Sequence, residues 1–266
     1  MSLTLTRSDD QIRLLFKNLQ TRADVAALLE ITEKQLIHHL YITKPSKNYK
    51  YFSIRKRSGG SRIIMAPRTS LKIIQQKLNY VLSLIYKVKP SVHGFAKGKS
   101  IRTNAKIHVG SKIILNVDLQ NFFPSINFGR VRGMFLGKPY LLPPEVATCL
   151  AQICCNSDQL PQGAPTSPII SNMLCAQMDS KLQKLARKYG CRYTRYADDI
   201  TISTITSHLP KNIAHFEYKT QTVELGADLM KIIKDEGFKI NDKKIRLMRC
   251  KCANGRRNTC AGLPLA

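Results

Sequence analysis

Two adjacent acids, Asp198 and Asp199, lie between β-favouring stretches, Tyr193 to Tyr196 before them and Ile200 to Ile202 after. That pattern predicts a hairpin with carboxylates at its turn. Neighbouring carboxylates held at one edge repel each other unless a cation lies between them, and Mg²⁺ is the hard cation that suits oxygen ligands. An isolated Asp-Asp pair is most often an ordinary surface turn. A third acid changes the reading. Asp118 comes near the end of the apolar run Ile113-Ile114-Leu115-Asn116-Val117-Asp118-Leu119, where a buried carboxylate is costly unless it is paired or binds metal. Strand, long helix and hairpin placed side by side on one antiparallel sheet would gather all three acids. With paired divalent ions such a site activates a hydroxyl, steadies a leaving oxygen and stabilises charge developing on phosphorus. The substrate is then a phosphate ester or anhydride, and nuclease and nucleotidyl-transfer chemistry fit equally well.

The elements that must position these acids follow from the rest of the pattern. The 266 residues can bury a real core in one large domain or two closely packed ones. Residues 9 to 41 carry apolar positions at helical spacing (Ile12, Leu15, Phe16, Leu19, then Val25, Leu28, Leu29, Leu36, Leu40) and predict two or three short helices. Asp24 to Leu40 has a helix-turn-helix rhythm, read here as a packing unit and not as a DNA reader. From Tyr49 the texture turns to strands, Tyr49 to Lys56 and Arg62 to Ala66, joined by Ser58-Gly59-Gly60-Ser61. This basic hairpin either brings Arg62 and Arg68 to an anionic ligand or leaves them solvated on an exposed ribbon. A helix is predicted over Ser70 to Tyr86, a loop over Lys87 to Lys99, and a helix end or turn at Asn104 to His108. His108, a lone histidine before a strand, fits a hydrogen-bonded structural residue better than a catalytic base.

Beyond Asp118, Asn121 to Ile126 turns into a helix with Ser125 or Asn127 as its cap, and Glu145 to Cys154 predicts another. Leu160 to Pro168 is a rigid turn of small residues that lets a backbone approach a ligand. It opens into a helix of about twenty residues ending near Gly190. After the acidic hairpin, Lys219 to Gly237 predicts a helix, and Phe238 to Arg249 a strand with a turn at Asn241-Asp242-Lys243-Lys244.

The formal net charge of +26 comes from 43 Lys and Arg against 17 Asp and Glu. Such a field attracts phosphate backbones, with strongly salt-dependent binding. No apolar run approaches the length of a spanning helix and no lipidation signal is present, which leaves nucleic acid, not a membrane, as the expected partner. Met1 to Asp10 lacks the apolar core of a signal peptide, so a cytoplasmic protein is expected. The eight cysteines show no Cys-x-x-Cys spacing. Cys250, Cys252 and Cys260 are read as incidental thiols in a basic tail in preference to a zinc site, since no nearby His completes one.

Three blocks then stand in order: Asn116-Val117-Asp118-Leu119 with Phe122-Phe123, Leu160-Pro161-Gln162-Gly163-Ala164-Pro165 with Ser167-Pro168, and Tyr196-Ala197-Asp198-Asp199. Together they resemble the successive core motifs of reverse transcriptases, over roughly residues 45 to 265. Asn104-Ala105-x-x-His108 makes the resemblance closest to the bacterial retron enzymes. It implies an α+β right-hand polymerase fold with fingers and palm, an antiparallel palm sheet packed on helices, and a truncated thumb. The implied domains are an N-terminal helical region at 1–45, fingers with a retron-type insertion element at 46–115, a catalytic palm at 116–250 and a truncated palm-thumb junction at 251–266.

Carried over residue by residue, the resemblance implies that Asp118, Asp198 and Asp199 are catalytic and, with Leu119, hold two Mg²⁺ ions. Phe123 would be the gate that excludes a 2′-hydroxyl from the incoming sugar. Gln162 and Gly163 would line the nucleotide pocket, Arg62 would grip the triphosphate, and Lys244, with Lys243 as its rival, would lie near the leaving pyrophosphate. Tyr196 and Ala197 would support the primer end, and Asn104 and His108 would touch RNA. The implied function is RNA-directed DNA synthesis on a structured non-coding RNA, using dNTPs. The product would be a branched RNA-linked DNA that serves antiphage defence with an accessory effector protein. Other bacterial reverse transcriptases (group II intron, diversity-generating or defence-associated) and an RNA-binding relic are the rivals. Where retron enzymes carry a Val-Thr-Gly element before the thumb, this chain reads Thr259-Cys260-Ala261-Gly262-Leu263 and stops at Ala266. The expectation is a chain with the catalytic residues but little processive activity by itself.

Overall fold

The computed structural model describes residues 4–55, 59–217 and 222–249. Three short helices come first, α1 (Asp9–Lys17), α2 (Arg22–Leu28) and α3 (Glu33–Ile37), the last running into a π-helical turn at His38–Ile42. Each helix opens on a hydroxyl cap, Ser8, Thr21 or Thr32, whose oxygen accepts a backbone N–H while a Gln or Asp three residues on takes the cap's own N–H. The donors stranded at a helix start are thereby satisfied reciprocally. Next come α4 (Pro45–Asn48), the β1 (Tyr49–Arg55) and β2 (Ser61–Pro67) ribbon, and α5 (Thr69–Ile85). The chain continues through α6 (Ile101–His108), β3 (Ile113–Asp118), α7 (Phe128–Leu136), α8 (Pro144–Cys154), α9 (Ser167–Leu174) and α10 (Ala176–Lys188). It ends with β4 (Arg192–Tyr196), β5 (Asp199–Thr204), β6 (Ala214–Glu217), β7 (Thr222–Leu225), α11 (Ala227–Asp235), a 3₁₀ turn at Asp242–Lys244 and β8 (Arg246–Arg249). The class is α+β with antiparallel sheets, as expected.

Two compact units divide the chain: residues 1–87 with 123–174, and residues 88–122 with the described residues from 175 on. In the first, α5 buries Leu71, Ile74, Leu78, Val81 and Leu82 at helical spacing. Two polar side chains on the same helix are buried with their nitrogens hydrogen-bonded, while Gln75 Oε1 stays without a partner. Gln75 donates to the Tyr49 hydroxyl and the Ile153 carbonyl, and the Lys77 ammonium donates to the carbonyls of Leu29 and Glu30 at the end of α2, where a cation suits the helix dipole.

In the second unit a four-stranded sheet has the order β4-β5-β3-β8, antiparallel throughout. One face carries Tyr193, Leu115, Val117, Ile200, Ile202 and Leu247, all buried, and α10 packs against β4. Arg195, on that same face, is fully buried together with Asp179 of α10. Its guanidinium meets the carboxylate with two parallel bonds, Nε to Oδ1 at 2.8 Å and Nη2 to Oδ2 at 2.9 Å, and Nη1 donates to the Ala197 carbonyl at 2.9 Å. The Tyr193 hydroxyl adds a fourth bond, to Asp179 Oδ1 at 2.6 Å. A bidentate pair with its remaining donors satisfied is the arrangement in which a buried charge is tolerated.

Two expectations are corrected. The helix expected from the Pro168 turn to Gly190 breaks at Cys175 into α9 and α10. The helix expected over Lys219 to Gly237 begins only at Ala227, and Thr222–Leu225 is instead a strand paired with β6. Its alternation of Thr222, Val223, Glu224 and Leu225 carried that signal. Gly226 ends the strand where a side chain cannot fit, since an ideal Cβ there would lie 2.1 Å from the Asn212 carbonyl carbon. The readings of Cys250, Cys252, Cys260 and of Thr259 to Gly262 fall outside the described residues. Among the described residues no helix is long and apolar enough to cross a membrane.

Asp179→Asn leaves Arg195 charged, buried and without its counter-ion, and should destabilise the chain by about 3–5 kcal/mol. The double variant Asp179→Leu with Arg195→Met should recover most of that loss. Urea unfolding of the three chains is the measurement, and an Asp179→Asn chain as stable as the parent would show that the pair does not anchor the sheet.

Candidate active site

Asp118 ends β3 and Asp199 begins β5, and the two are directly opposed in the antiparallel register. Opposed residues point to the same face of a sheet, so both carboxylates stand on the face away from Arg195. Asp198 sits beside them in the two-residue turn Ala197-Asp198, and its carbonyl accepts the Leu119 N–H at 3.0 Å. The expected acidic hairpin is present, with one acid in the turn and the other already in the strand.

The turn is held from several directions. Ala197 takes φ +56°, a left-handed position usually given to Gly in two-residue hairpin loops. Arg195 fixes its carbonyl from below. From the side, the segment before α6 lies along β4: Arg195 N donates to the Ser91 carbonyl and His93 N to the Arg195 carbonyl, at 3.0 and 2.8 Å. Gly94 then passes so close that an ideal Cβ would be 2.3 Å from Ala197 N. The Lys99 ammonium clips this segment by donating to the carbonyls of Lys89, Pro90 and Val92. Gly94, Lys99, Asp179 and Arg195 were not singled out from sequence. The signals available were an arginine inside a buried strand and an aspartate on the apolar stripe of Met178, Leu182 and Leu185.

The Asn241–Lys244 turn closes on Asp118. Asn241 N donates to the Asp118 carbonyl at 2.9 Å, Asn241 Nδ2 to Oδ1 at 3.0 Å, and Lys244 Nζ to Oδ2 at 2.7 Å. That hydrogen bond, with the surrounding acids, raises the Lys244 pKa. Lys243 makes no such contact with Asp118. The Asp199 carboxyl is raised to about 6, by desolvation first and then by Asp198 and Asp118, with Lys244 and Arg246 opposing. Since Asp199 is exposed, repulsion from the neighbouring acids is the cause the geometry supports best. Among the described residues no three His, Cys, Asp or Glu side chains are close enough together to hold a metal ion as they stand, and Asp118 is engaged by Asn241 and Lys244. The donor set nonetheless suits a hard divalent cation: three carboxylates on one sheet edge, and a backbone carbonyl at Leu119, whose apolar side chain is buried.

His108 is buried, with Nδ1 2.7 Å from Ser203 Oγ and Nε2 2.7 Å from Thr194 Oγ1. Burial first, then Arg192 and His93, lower its pKa to about 4. It is therefore a neutral strut that seats α6 on the sheet, and both its nitrogens are occupied within the protein. Asn104, one turn earlier, keeps a buried amide oxygen without a partner.

Tyr196 ends β4, opposite Asp199 in the register, whereas Arg62, Gln162, Gly163 and Phe123 belong to the first unit. Arg62 lies exposed on β2. Three residues along, Met65 N donates to the Gln162 carbonyl at 2.8 Å, and an ideal Cβ on Gly163, at φ +115°, would lie 2.8 Å from Ile64 Cγ2. The Pro161-Gln162-Gly163 turn is thus pressed on the ribbon that carries Arg62, in a conformation that favours glycine. Gln162 Oε1 is buried without a partner. Phe123 is half-buried, and its carbonyl accepts the Ile126 N–H at 3.1 Å.

Gly94→Ala should push the turn that carries Asp198 and cost ~1–3 kcal/mol, read as a lower urea midpoint together with weaker Mn²⁺ binding. Asp199→Asn should do the opposite in metal-free buffer. A carboxyl with a raised folded-state pKa favours the fold below its ordinary value near 4, and that contribution is lost as pH rises through about 6. At pH 7.5 the Asn variant should therefore be the more stable, by on the order of 1 kcal/mol once solvent screening of an exposed group is allowed for. At pH 4 the two chains should unfold together, and a stability gap independent of pH would refute the assignment.

Residues 54–254 match the family of reverse transcriptases (RNA-dependent DNA polymerase). Retron Mx65 reverse transcriptase from Myxococcus xanthus is 36% identical over 251 residues, 86% of this chain and 55% of its own. Retron Ec86 reverse transcriptase from Escherichia coli is 35% identical over 199 residues, 74% of this chain and 58% of its own. Among solved structures, apo telomerase from Candida tropicalis, truncated from its C-terminal domain, gives a TM-score of 0.44 at 15% identity, over 88% of this chain and 58% of that one. The chain spans about half the length of the relatives it matches. With Asp118 opposed to Asp199 and Asp198 beside them in the turn, within a match that runs through most of its length, the chain belongs to the reverse transcriptase family.

Proposed function

We propose that the chain is an RNA-directed DNA polymerase of the retron type, copying a structured non-coding RNA that supplies both template and priming hydroxyl. The observation that carries this is the register that sets Asp118 against Asp199 with Asp198 at the adjoining turn. The likeness to the two retron reverse transcriptases favours the retron type over the other bacterial classes. In the reaction a hydroxyl of the primer, at initiation the 2′-hydroxyl of a guanosine, attacks the α-phosphorus of a dNTP. The new P–O bond forms as the bond to pyrophosphate breaks, and the hydroxyl proton passes to solvent.

Asp118, Asp198, Asp199 and the Leu119 carbonyl would hold two Mg²⁺ ions, whose chemistry when bound is to activate the hydroxyl and stabilise the leaving oxygen. Lys244, now on Asp118, is within one side-chain swing of the same cluster and serves the leaving pyrophosphate. Arg62 takes the triphosphate, and Gln162 with Gly163 forms the floor for the nucleotide. Phe123 excludes a 2′-hydroxyl by bulk, and Tyr196 and Ala197 support the primer end. Asn104 lies on the helix that meets the RNA, while His108 acts by orienting α6. The net charge of +26 supplies sequence-independent affinity for the RNA and its DNA product. That product, a branched RNA-linked single-stranded DNA, serves antiphage defence together with an accessory effector protein.

The test is dNTP incorporation on a primed RNA with Mg²⁺, beside a titration of RNA binding. Asp198→Asn should reduce incorporation by at least a hundredfold, since such electrostatic groups act in the transition state, and leave RNA affinity within about twofold. Loss of binding in step with loss of synthesis would mean that the acids are structural.

A further inference from the structure

The chain entering β8 brings two cations to the acids, Lys244 and Arg246, and the roles above use only the first. β8 lies along β3 with Arg246 opposed to Asn116, and Asn116 is two residues before Asp118 on its strand. Opposed residues share a face of a sheet, and so do residues two apart on one strand. Arg246 therefore stands on the face that carries Asp118 and Asp199, one strand over from Asp118 and two residues back. That is about 4.8 Å across the sheet and about 6.8 Å along it, a gap that a side chain as long as arginine's can cross. Its neighbour Leu247 is buried on the opposite face.

The two cations differ in what already holds them. Lys244 Nζ is bonded to Asp118 Oδ2 at 2.7 Å. Arg246 is exposed, and its guanidinium makes no hydrogen bond or ion pair among the described residues. Its charge acts on Asp199 in the same sense as that of Lys244, without a hydrogen bond between the two groups. Phosphates that approach three carboxylates are repelled unless cations meet them, and a guanidinium fork matches two oxygens of one phosphate. Strand order says which phosphates these are. The sheet runs β4-β5-β3-β8, so Tyr196 on β4, given above to the primer end, is three strand spacings from β8, about 14 Å across the sheet. Arg246 and Lys244 both approach from the β8 edge, the side away from the primer end.

We propose that Arg246 binds the β- and γ-phosphates of the incoming dNTP and, with Lys244, holds them as they leave as pyrophosphate. This role rests on the polymerase reading above. As the primer oxygen bonds to the α-phosphorus, the bridging P–O bond to the β-phosphate breaks and its electron pair stays on the pyrophosphate oxygen. Two N–H donors of Arg246 meet the charge that gathers there.

The experiment uses the full chain on a primed RNA whose DNA primer ends in a dideoxynucleotide opposite a templating A, so that dTTP binds in Mg²⁺ without reacting. Titration by calorimetry should show dTTP about tenfold weaker for Arg246→Gln, the effect of one charge-assisted hydrogen bond. Arg246→Lys should recover part of that loss, and all three chains should share one urea midpoint. Affinity for the primed RNA should stay within about twofold, with the same dependence on salt. Equal dTTP affinity in the parent and Arg246→Gln overturns the assignment. A weaker RNA complex whose salt slope falls by about 1, with dTTP unchanged, overturns it in favour of a backbone phosphate, and a lowered urea midpoint shared by both variants overturns it in favour of a structural role. A parent chain that binds dTTP here but incorporates none on an extendable primer would sink the polymerase reading and leave the triphosphate contact standing.

Discussion

Three carboxylates at one end of a sheet repel one another, and much of the second unit serves to hold them there. The force is electrostatic and local, because Asp118 and Asp199 are fixed partners in the register and Asp198 is covalently next to Asp199. Left to itself the repulsion would fray the strand ends. It is met by the bidentate Asp179–Arg195 pair beneath the turn, by a backbone segment bonded along the edge of β4, and by the Asn241–Lys244 turn, which caps Asp118 with three hydrogen bonds. Desolvation and the neighbouring Asp198 and Asp118 together leave the Asp199 pKa raised.

The sheet divides this work between its faces. One face is apolar and buried on helices, with a single ion pair set in it where the turn has to be gripped. The other carries Thr194, Thr201, Ser203 and the acids, with Ile114 among them, and part of it is covered by His108 of α6 and by Ser111 just after that helix, both bonded to Ser203. Period-two alternation makes this division possible: neighbours in the chain, Arg195 and Tyr196 or Val117 and Asp118, serve opposite faces. A residue that grips the turn can therefore sit next to one of the acids without competing for space.

The first unit works differently. Its residues of interest lie on backbone that is pinned by close approach. Gly163 has no room for a side chain against β2, and Met65 bonds the turn at Gln162. Polar side chains in its interior are matched to carbonyls at helix ends or to tyrosine hydroxyls, as Lys77 and Gln75 illustrate. Buried side-chain atoms left without partners in this unit lie both in α5, at Gln75 and Gln76, and near turns, at His39, Thr43, Gln162 and Thr166.

Much of the site was legible in the sequence, because residue type and local period carry it. The apolar run ending in Asp118, the Tyr-Ala-Asp-Asp hairpin, the Gly59-Gly60 ribbon and the small-residue turn at Gln162 are local patterns, and the structure has each as strand, hairpin, ribbon and turn. The helix misassigned over Lys219 to Gly237 shows where local pattern fails: four alternating residues form a strand only because β6 is there to pair with them. The tertiary structure alone decided the register of β3 against β5, the burial of Arg195 opposite Asp179, and the approach of Gly94 to Ala197. Each joins residues distant in the chain or on different elements through a contact whose energy depends on geometry, a two-point ion pair or a missing Cβ, and neither spacing nor composition encodes that geometry. The sequence determined which groups could do chemistry, and the folded chain determined which of them stand together.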